Sequence, residues 1–231
     1  MGIKYSVTGD RIEDVQVPCL KCAGRTFHRV MTEAAENGDE HHDHGSYQWQ
    51  ELYQVVQCRG CKTMSFRLAK TNSEDMDRDD DGTWIESVTE AFYPARIEGL
   101  KGIDPTKLQF LPPVARKIYD EALRALTNEQ PILAGVGLRA LVEAVCKEKS
   151  AKGSDLLKKI DNLVDLKVLT DDAAKVLHHV RQIGNKAAHE AKPETVARLS
   201  IAMTVVENLL TNVYILPKVV AAEFPPDDDE I

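Results

Sequence analysis

Along the first hundred residues, apolar and polar positions alternate only in short runs. Residues 47–56 and 63–68 carry β-forming side chains in partial alternation, and residues 84–93 read as a further strand. Two polar segments, 33–46 and 71–82, separate these runs and are long enough to be loops or insertions. The text up to there predicts short strands and turns. Near residues 99–105, a stretch holding Gly99, Gly102 and Pro105, the period becomes helical. Leu111-Pro112-Pro113 opens a helix to about Leu126, because proline's missing N–H costs nothing in a first turn. A second follows Pro131 to about Lys149, and a third starts at Gly153 or Ser154 and ends near Leu166. Asp171 reads as the N-cap of a fourth running to about Glu190, and Pro193 allows a fifth to Leu216, stopping before Pro217. Short connections between them predict an antiparallel bundle.

This pattern divides the chain into a β-rich domain at 1–104, a helical bundle at 105–220 and an acidic tail at 221–231. The fold class expected is α+β. Composition agrees: 43% hydrophobic residues permit a core, while only 6% aromatics favour helices packed by aliphatic side chains over a large β-sandwich. Charge sharpens the division. The net −8 argues against nucleic acid until it is resolved into −7 over 1–104, +4 over 105–220 and −5 over the tail. The bundle is mildly basic, which removes that objection without demonstrating RNA binding.

No apolar leader precedes Lys4, and the most apolar stretch, 201–216, is interrupted by Glu207, Asn208 and Asn212 and is too short for a bilayer. A cytoplasmic chain without a membrane partner is expected. Four of the five cysteines form two Cys-x-x-Cys pairs, Cys19/Cys22 and Cys58/Cys61. Two knuckles presenting four thiolates suit one tetrahedral zinc ion, and a closed four-sulfur set has no open position, so the expected role is structural. The 35 residues between Cys22 and Cys58 exceed the usual ribbon spacing, and the surplus is the 33–46 segment. The N-terminal domain is therefore expected to be zinc-ribbon-like. Lys21, Arg25, Arg29, Arg59, Lys62 and Arg67 cluster near the knuckles in acidic surroundings, which weighs against direct nucleic-acid binding there.

Three other groups are discounted. Glu40-His41-His42-Asp43-His44 reads as a solvated loop. Asp77-x-Asp79-x-Asp81-Gly82 imitates a calcium loop, but Val88 stands where a bidentate Glu is required, so it reads as an acidic turn. Cys146 lies among apolar residues and reads as a small buried side chain.

The richest remaining chemistry is in residues 177–189. At about 100° per residue, His178, Arg181, Gln182, Asn185 and His189 share a face opposite Val176, Val180, Ile183 and Ala187. Gly184 would let a helix or ligand approach the polar row. By periodicity this is an ordinary amphipathic surface helix, and Arg139 and Glu143 at i and i+4 would simply pair or support it.

Arg181-x-x-Gly184-Asn185-x-x-Ala188-His189, with Leu111-Pro112 and Arg139-x-x-x-Glu143, resembles a bacterial domain-of-unknown-function family (family 4145) placed near the HEPN superfamily. A zinc-ribbon-like segment and a Tyr-Pro such as Tyr93-Pro94 also occur in such proteins. The resemblance spans about 93–216 and implies a HEPN-like helical bundle that forms a homodimer. The HEPN motif places Arg four to six residues before His, whereas seven intervene here, with Asn185 at a polar position the motif often has. What the resemblance implies is a metal-independent ribonuclease or RNA-binding effector of a bacterial defence or toxin–antitoxin system, cutting at a dimer cleft. His189 would be the general acid or base, Arg181 the phosphate clamp, Asn185 an orienting group and Glu143 a supporting one. The alternative is a non-catalytic, zinc-containing dimerisation or docking protein accessory to a restriction or antiphage system. A solvent-open row at a dimer cleft favours the first, a row satisfied within one protomer the second.

Overall fold

The computed structural model describes residues 2–8, 13–22, 24–42, 45–78 and 80–224. The chain is α+β, with an antiparallel β-sheet region followed by a helical region. It separates into two compact units, 1–101 and 102–231.

The first unit is a six-stranded antiparallel sheet of β1 (Gly2–Thr8), β2 (Val15–Pro18), β3 (Arg25–His42), β4 (Gly45–Cys58), β5 (Met64–Asn72) and β8 (Thr89–Tyr93). Its order is β1-β3-β4-β5-β8, with β2 pairing the start of β3. Strands β6 (Met76–Arg78) and β7 (Trp84–Glu86) form a separate hairpin.

The expectation of short strands is corrected. The polar 33–46 segment is no loop: 33–42 complete an 18-residue β3 that pairs with β4 from His28↔Cys58 to His42↔Gly45, with a register shift between Val30 and Thr32. Charged residues can occupy a strand when cross-strand partners satisfy them. Here Gln54 donates to Glu33 at 2.6 Å and Gln50 to Asn37 at 2.7 Å. Gly38 faces Trp49 across the ladder, and a Cβ at 38 would lie 2.3 Å from the indole ring, so only glycine fits there. The expected 84–93 strand is two strands in different sheets, and Thr71 and Asn72 belong to β5. Asp80, Asp81 and Gly82 form the acidic turn of the β6–β7 hairpin. His41 is exposed beside Asp39 at the far end of β3, not in a loop. Asp43, His44, Asp79 and the acidic run from residue 225 onward lie outside the described residues.

One sheet face carries Val56, Gln54, Ser65, Arg67 and Ala69, all buried. Arg67 is satisfied by Glu90 and Gln54, each at 2.6 Å. The core of this unit is thus partly polar.

The second unit contains α1 (Pro113–Thr127), α2 (Pro131–Glu148), α3 (Leu156–Asp165), α4 (Asp171–Glu190), α5 (Val196–Leu210) and α6 (Leu216–Glu223). Pro113 and Pro131 occupy first turns. Asp155 caps α3 through the Lys158 amide at 2.9 Å. Thr170 caps α4 through the Ala173 amide at 3.2 Å, so Asp171 is the first helical residue and not the N-cap expected. Asp171 and Asp172 then sit in the first turn, where the helix dipole favours negative charge.

The fifth helix does not stop at Pro217. A π-helical turn, Thr211–Ile215, follows α5 and passes directly into α6, with Pro217 in the first turn of the latter. The Leu216 amide bonds the Thr211 carbonyl, the five-residue reach of a π turn, so the ring that would break an α-helix is accommodated. The rod Val196–Glu223 spans 28 residues and includes an 18-residue stretch of mean hydropathy 1.5, long and apolar enough to cross a membrane and longer than the sequence suggests. Leu199, Met203, Val206, Leu210 and Ile215 on it are buried in the bundle core, with Leu138, Leu141 and Val145 of α2.

Candidate functional site

The first candidate is built by two tight turns. Cys19 and Cys22 follow β2, where the Cys19 amide bonds the Gly24 carbonyl at 2.9 Å. Cys58 ends β4, its amide bonding the Thr63 carbonyl at 3.0 Å, and Lys62 takes a left-handed φ of 62° to close the turn before β5. Pairing of β3 with β4 carries the second knuckle to the first: the Arg59 amide bonds the Phe27 carbonyl at 2.9 Å. The long hairpin thus closes the 35-residue gap.

The four thiols are free, and their Sγ atoms all lie within 4.8 Å of one another. Cys19 and Cys61 are 3.5 Å apart, Cys22 and Cys58 4.0 Å. A tetrahedral ion with metal–sulfur bonds of about 2.3 Å needs sulfurs roughly 3.8 Å apart. The set could hold a metal ion. Cys19 and Cys58 are buried and Cys22 exposed. Thr26 and Thr63 set hydroxyls 3.4 Å from Cys58 and 3.2 Å from Cys61. Burial pushes the Cys58 thiol up, but hydrogen bonds from Thr26, Cys61 and Cys19 outweigh it and bring it down to about 6. Cys22, hydrogen-bonded to Cys19 first and Cys61 second, is pushed up to about 12.

Of the cations near the knuckles, Arg59 pairs with Asp14, while Arg25 lies 3.6 Å from Glu98 and 4.0 Å from Glu90. Lys62 donates to the Arg59 carbonyl.

The second candidate is α4. Its buried side is Ala174, Leu177, Val180, Ile183, Gly184 and Ala187, whereas Val176, expected there, is 43% exposed. Helix α2 packs antiparallel against it, Gly135 meeting Ala187 and Arg139 meeting Gly184. A Cβ at 184 would stand 2.4 Å from the Arg139 Cβ and 3.0 Å from the Gly135 carbonyl. What the glycine admits is a neighbouring helix.

The polar row is divided. His178 reaches Asp161 of α3 at 3.0 Å. Arg181 and Asn185 are half-buried, and the Arg181 Nε and Asn185 Oδ1 atoms are enclosed without a hydrogen-bond partner. Gln182 and His189 are exposed, the latter in the last turn. Arg181 and His189 stand about 12 Å apart along the helix axis at 1.5 Å per residue. Glu143 is exposed and pairs with Arg139 at 2.9 Å. Cys146 is fully buried in α2, its thiol pushed up to about 11 by burial.

Sequence reasoning passed over Thr26, Thr63 and Arg96 near the cysteines. Thr63 lies two residues after Cys61 and was within reach of inspection, but Arg96 arrives from 35 residues further on and has no local signal.

A family model described as a domain of unknown function (DUF4145) matches residues 120–224, which takes in Arg139, Glu143 and the whole of α4. No curated protein and no solved structure matches the chain.

Proposed function

We propose that the chain is a HEPN-like RNA-binding effector that cleaves RNA from the α4 row, with a structural zinc ion on Cys19, Cys22, Cys58 and Cys61. The observation that carries the RNA reading is the set of stranded polar atoms. Among the described residues, seven buried side-chain nitrogen or oxygen atoms lack a partner, and three of them lie on α4: His178 Nδ1, Arg181 Nε and Asn185 Oδ1. Buried polar groups are ordinarily hydrogen-bonded, so such a concentration on one helix suits groups held for an external ligand. A guanidinium suits a phosphodiester.

In this reading the RNA 2′-oxygen attacks its own phosphorus, a base takes the 2′ proton, and an acid protonates the departing 5′-oxygen. A 2′,3′-cyclic phosphate and a 5′-hydroxyl result. His189, accessible in the last turn of α4, serves one of these transfers, and His189 of a second copy in a homodimer serves the other. Arg181 stabilises the phosphate charge and Asn185 orients it. The zinc holds the β unit and takes no part in the chemistry, since four thiolates leave it no open position. Reduced cysteines of this kind suit a cytoplasmic protein of a defence system.

The test is incubation of the reduced full-length protein with end-labelled RNA without added divalent metal. The parent is expected to yield cyclic-phosphate ends, and His189→Ala and Arg181→Ala to lose at least about 100-fold in rate. Intact RNA with the parent, or equal cleavage by the variants, rejects the reading.

A second reading, a non-catalytic docking or dimerisation protein, is favoured by the use of Glu143 in the Arg139 ion pair and of Gly184 in the α2 contact. There Arg181 and Asn185 would meet a protein partner, and RNA would stay intact.

A further inference from the structure

A divalent ion on four thiolates leaves a net charge of −2, and two of the four ligand residues, Cys19 and Cys58, are only 3% and 0% exposed. Such a centre needs a nearby cation, since burying uncompensated charge is costly. The obvious cations of the knuckles are engaged elsewhere. Arg59 is taken by Asp14, Arg25 by Glu98 and Glu90, and Lys62 by a carbonyl. Arg29 pairs in register with Gln57, one residue from Cys58, and so projects to the opposite sheet face.

Arg96 remains. Its Nη2 donates to Ser65 Oγ at 2.9 Å, and its guanidinium lies 4.2 Å from the Phe92 ring. Ser65 pairs with Val56, two residues from Cys58 and on the same face, so Arg96 is anchored over the face from which Cys58 projects. Its Nε is enclosed without a hydrogen-bond partner. Burial lowers its proton affinity, and the charges of Cys19, Glu90 and Cys58 act against that. A half-buried guanidinium with an enclosed, unpartnered Nε on the sheet face that carries Cys58 is suited to a sulfur centre more anionic than free thiols.

We propose that Arg96 is the positioning and charge-balancing residue of the tetracysteine metal centre, held by Ser65 and Phe92 over the sheet face from which Cys58 projects. The proposal rests on the zinc reading above and adds a residue outside the cysteine motif. Through it the centre reaches the segment after β8.

The experiment measures zinc affinity of the reduced, metal-free full chain by competition with a chromophoric chelator, with cobalt substitution reporting thiolate coordination. The parent should bind one ion per chain and give thiolate-to-cobalt charge-transfer absorption. Arg96→Gln should weaken zinc roughly 10–100-fold, the range for loss of an outer-shell partner. Arg96→Lys, which keeps the charge, should recover most of that loss. A merely structural role, in which the planar stack on Phe92 matters, would weaken both variants alike. If Arg96→Gln does not fold, Ser65→Ala frees the guanidinium without removing it and should weaken zinc by roughly a few-fold. A parent that binds no metal overturns the zinc reading and this inference together. A parent that binds zinc, with Arg96→Gln or Ser65→Ala within experimental error of it, overturns this inference alone. So does a lysine variant as weak as the glutamine one.

Discussion

The two units are held together by different means. In the sheet unit the described residues include six buried apolar ones, Val17, Cys19, Val30, Val56, Cys58 and Ala69, against twenty-eight in the helical unit. The contrast in polar burial is reversed: His28, Gln54, Ser65 and Arg67, the buried polar residues, all belong to the sheet. Burying polar groups stabilises little net of desolvation, because each bond replaces one made to water. A unit of about a hundred residues with so few apolar anchors needs a staple, and two of its six anchors are cysteines of the tetracysteine cluster. The helical unit has an aliphatic core and needs none. One unit depends on chemistry, the other on shape.

That contrast can be broken most directly by metal removal. Chelation under reducing conditions, or Cys58→Ser, should unfold the sheet unit, since structural zinc supplies about 10–16 kcal/mol, comparable to a domain's whole stability. Near-ultraviolet signals from Trp49 and Tyr53 should collapse while far-ultraviolet helical ellipticity persists. Thiol titration should then find four fast cysteines, with the buried Cys146 reacting only on full unfolding. Retention of the near-ultraviolet signal without metal would mean that the polar sheet core suffices.

Gly184→Ala tests the helical side. Alanine gains about 1 kcal/mol of helix propensity, but its Cβ would meet the Arg139 Cβ at 2.4 Å, neither of them a flexible end. Overpacking of about 1–3 kcal/mol should dominate, leaving a net loss of up to roughly 2 kcal/mol in denaturant unfolding followed by helical ellipticity, at unchanged metal content. A stabilised variant would show that α2 and α4 are not locked by shape.

The smallest effect concerns Glu207 of α5, which accepts from the Tyr119 hydroxyl at 2.8 Å. Burial raises its affinity for the proton, and the Tyr119 bond only partly opposes this. Because the folded value lies above the unfolded one, the associated stability is complete below the ordinary 4.5 and is lost as pH rises through the folded value. Glu207→Gln keeps the acceptor and cannot ionise, so its denaturation midpoint should decline less than the parent's from pH 4.5 upward. Parallel profiles would place the carboxylate in water and remove a titrating exception to the shape-held bundle.

Helices were legible because their cause is local. Apolar residues recur at helical spacing, and Pro113 and Pro131 mark first turns, whereas the caps Asp155 and Thr195 emerge only in the structure. The ends of the first four helices fall within one residue of those expected, even though Glu129, Ser150, Lys167 and Ala191 take left-handed conformations where sequence signals look for glycine. The long hairpin was not legible. Residues 33–42 are strand through their pairing with β1 and β4, and nothing in Glu33, Glu36, Asp39 or Glu40 announces a strand. The site divides in the same way. The cysteines stood out because metal ligation fixes residue type and spacing, but Thr26 and Arg96 approach them only across the sheet.

The sequence alone determined the α+β class, the helical periods, the two Cys-x-x-Cys knuckles and the membership of the α4 polar row, because each follows from spacing within a single turn, strand or helix. Tertiary structure decided the rest. It alone made a polar segment a strand, carried Pro217 through a π turn, gave Gly184 to α2 and left Arg181 and Asn185 with enclosed, unpartnered atoms. Those outcomes depend on which groups a neighbouring element offers or withholds, and a period read along one chain carries no information about what will be packed against it.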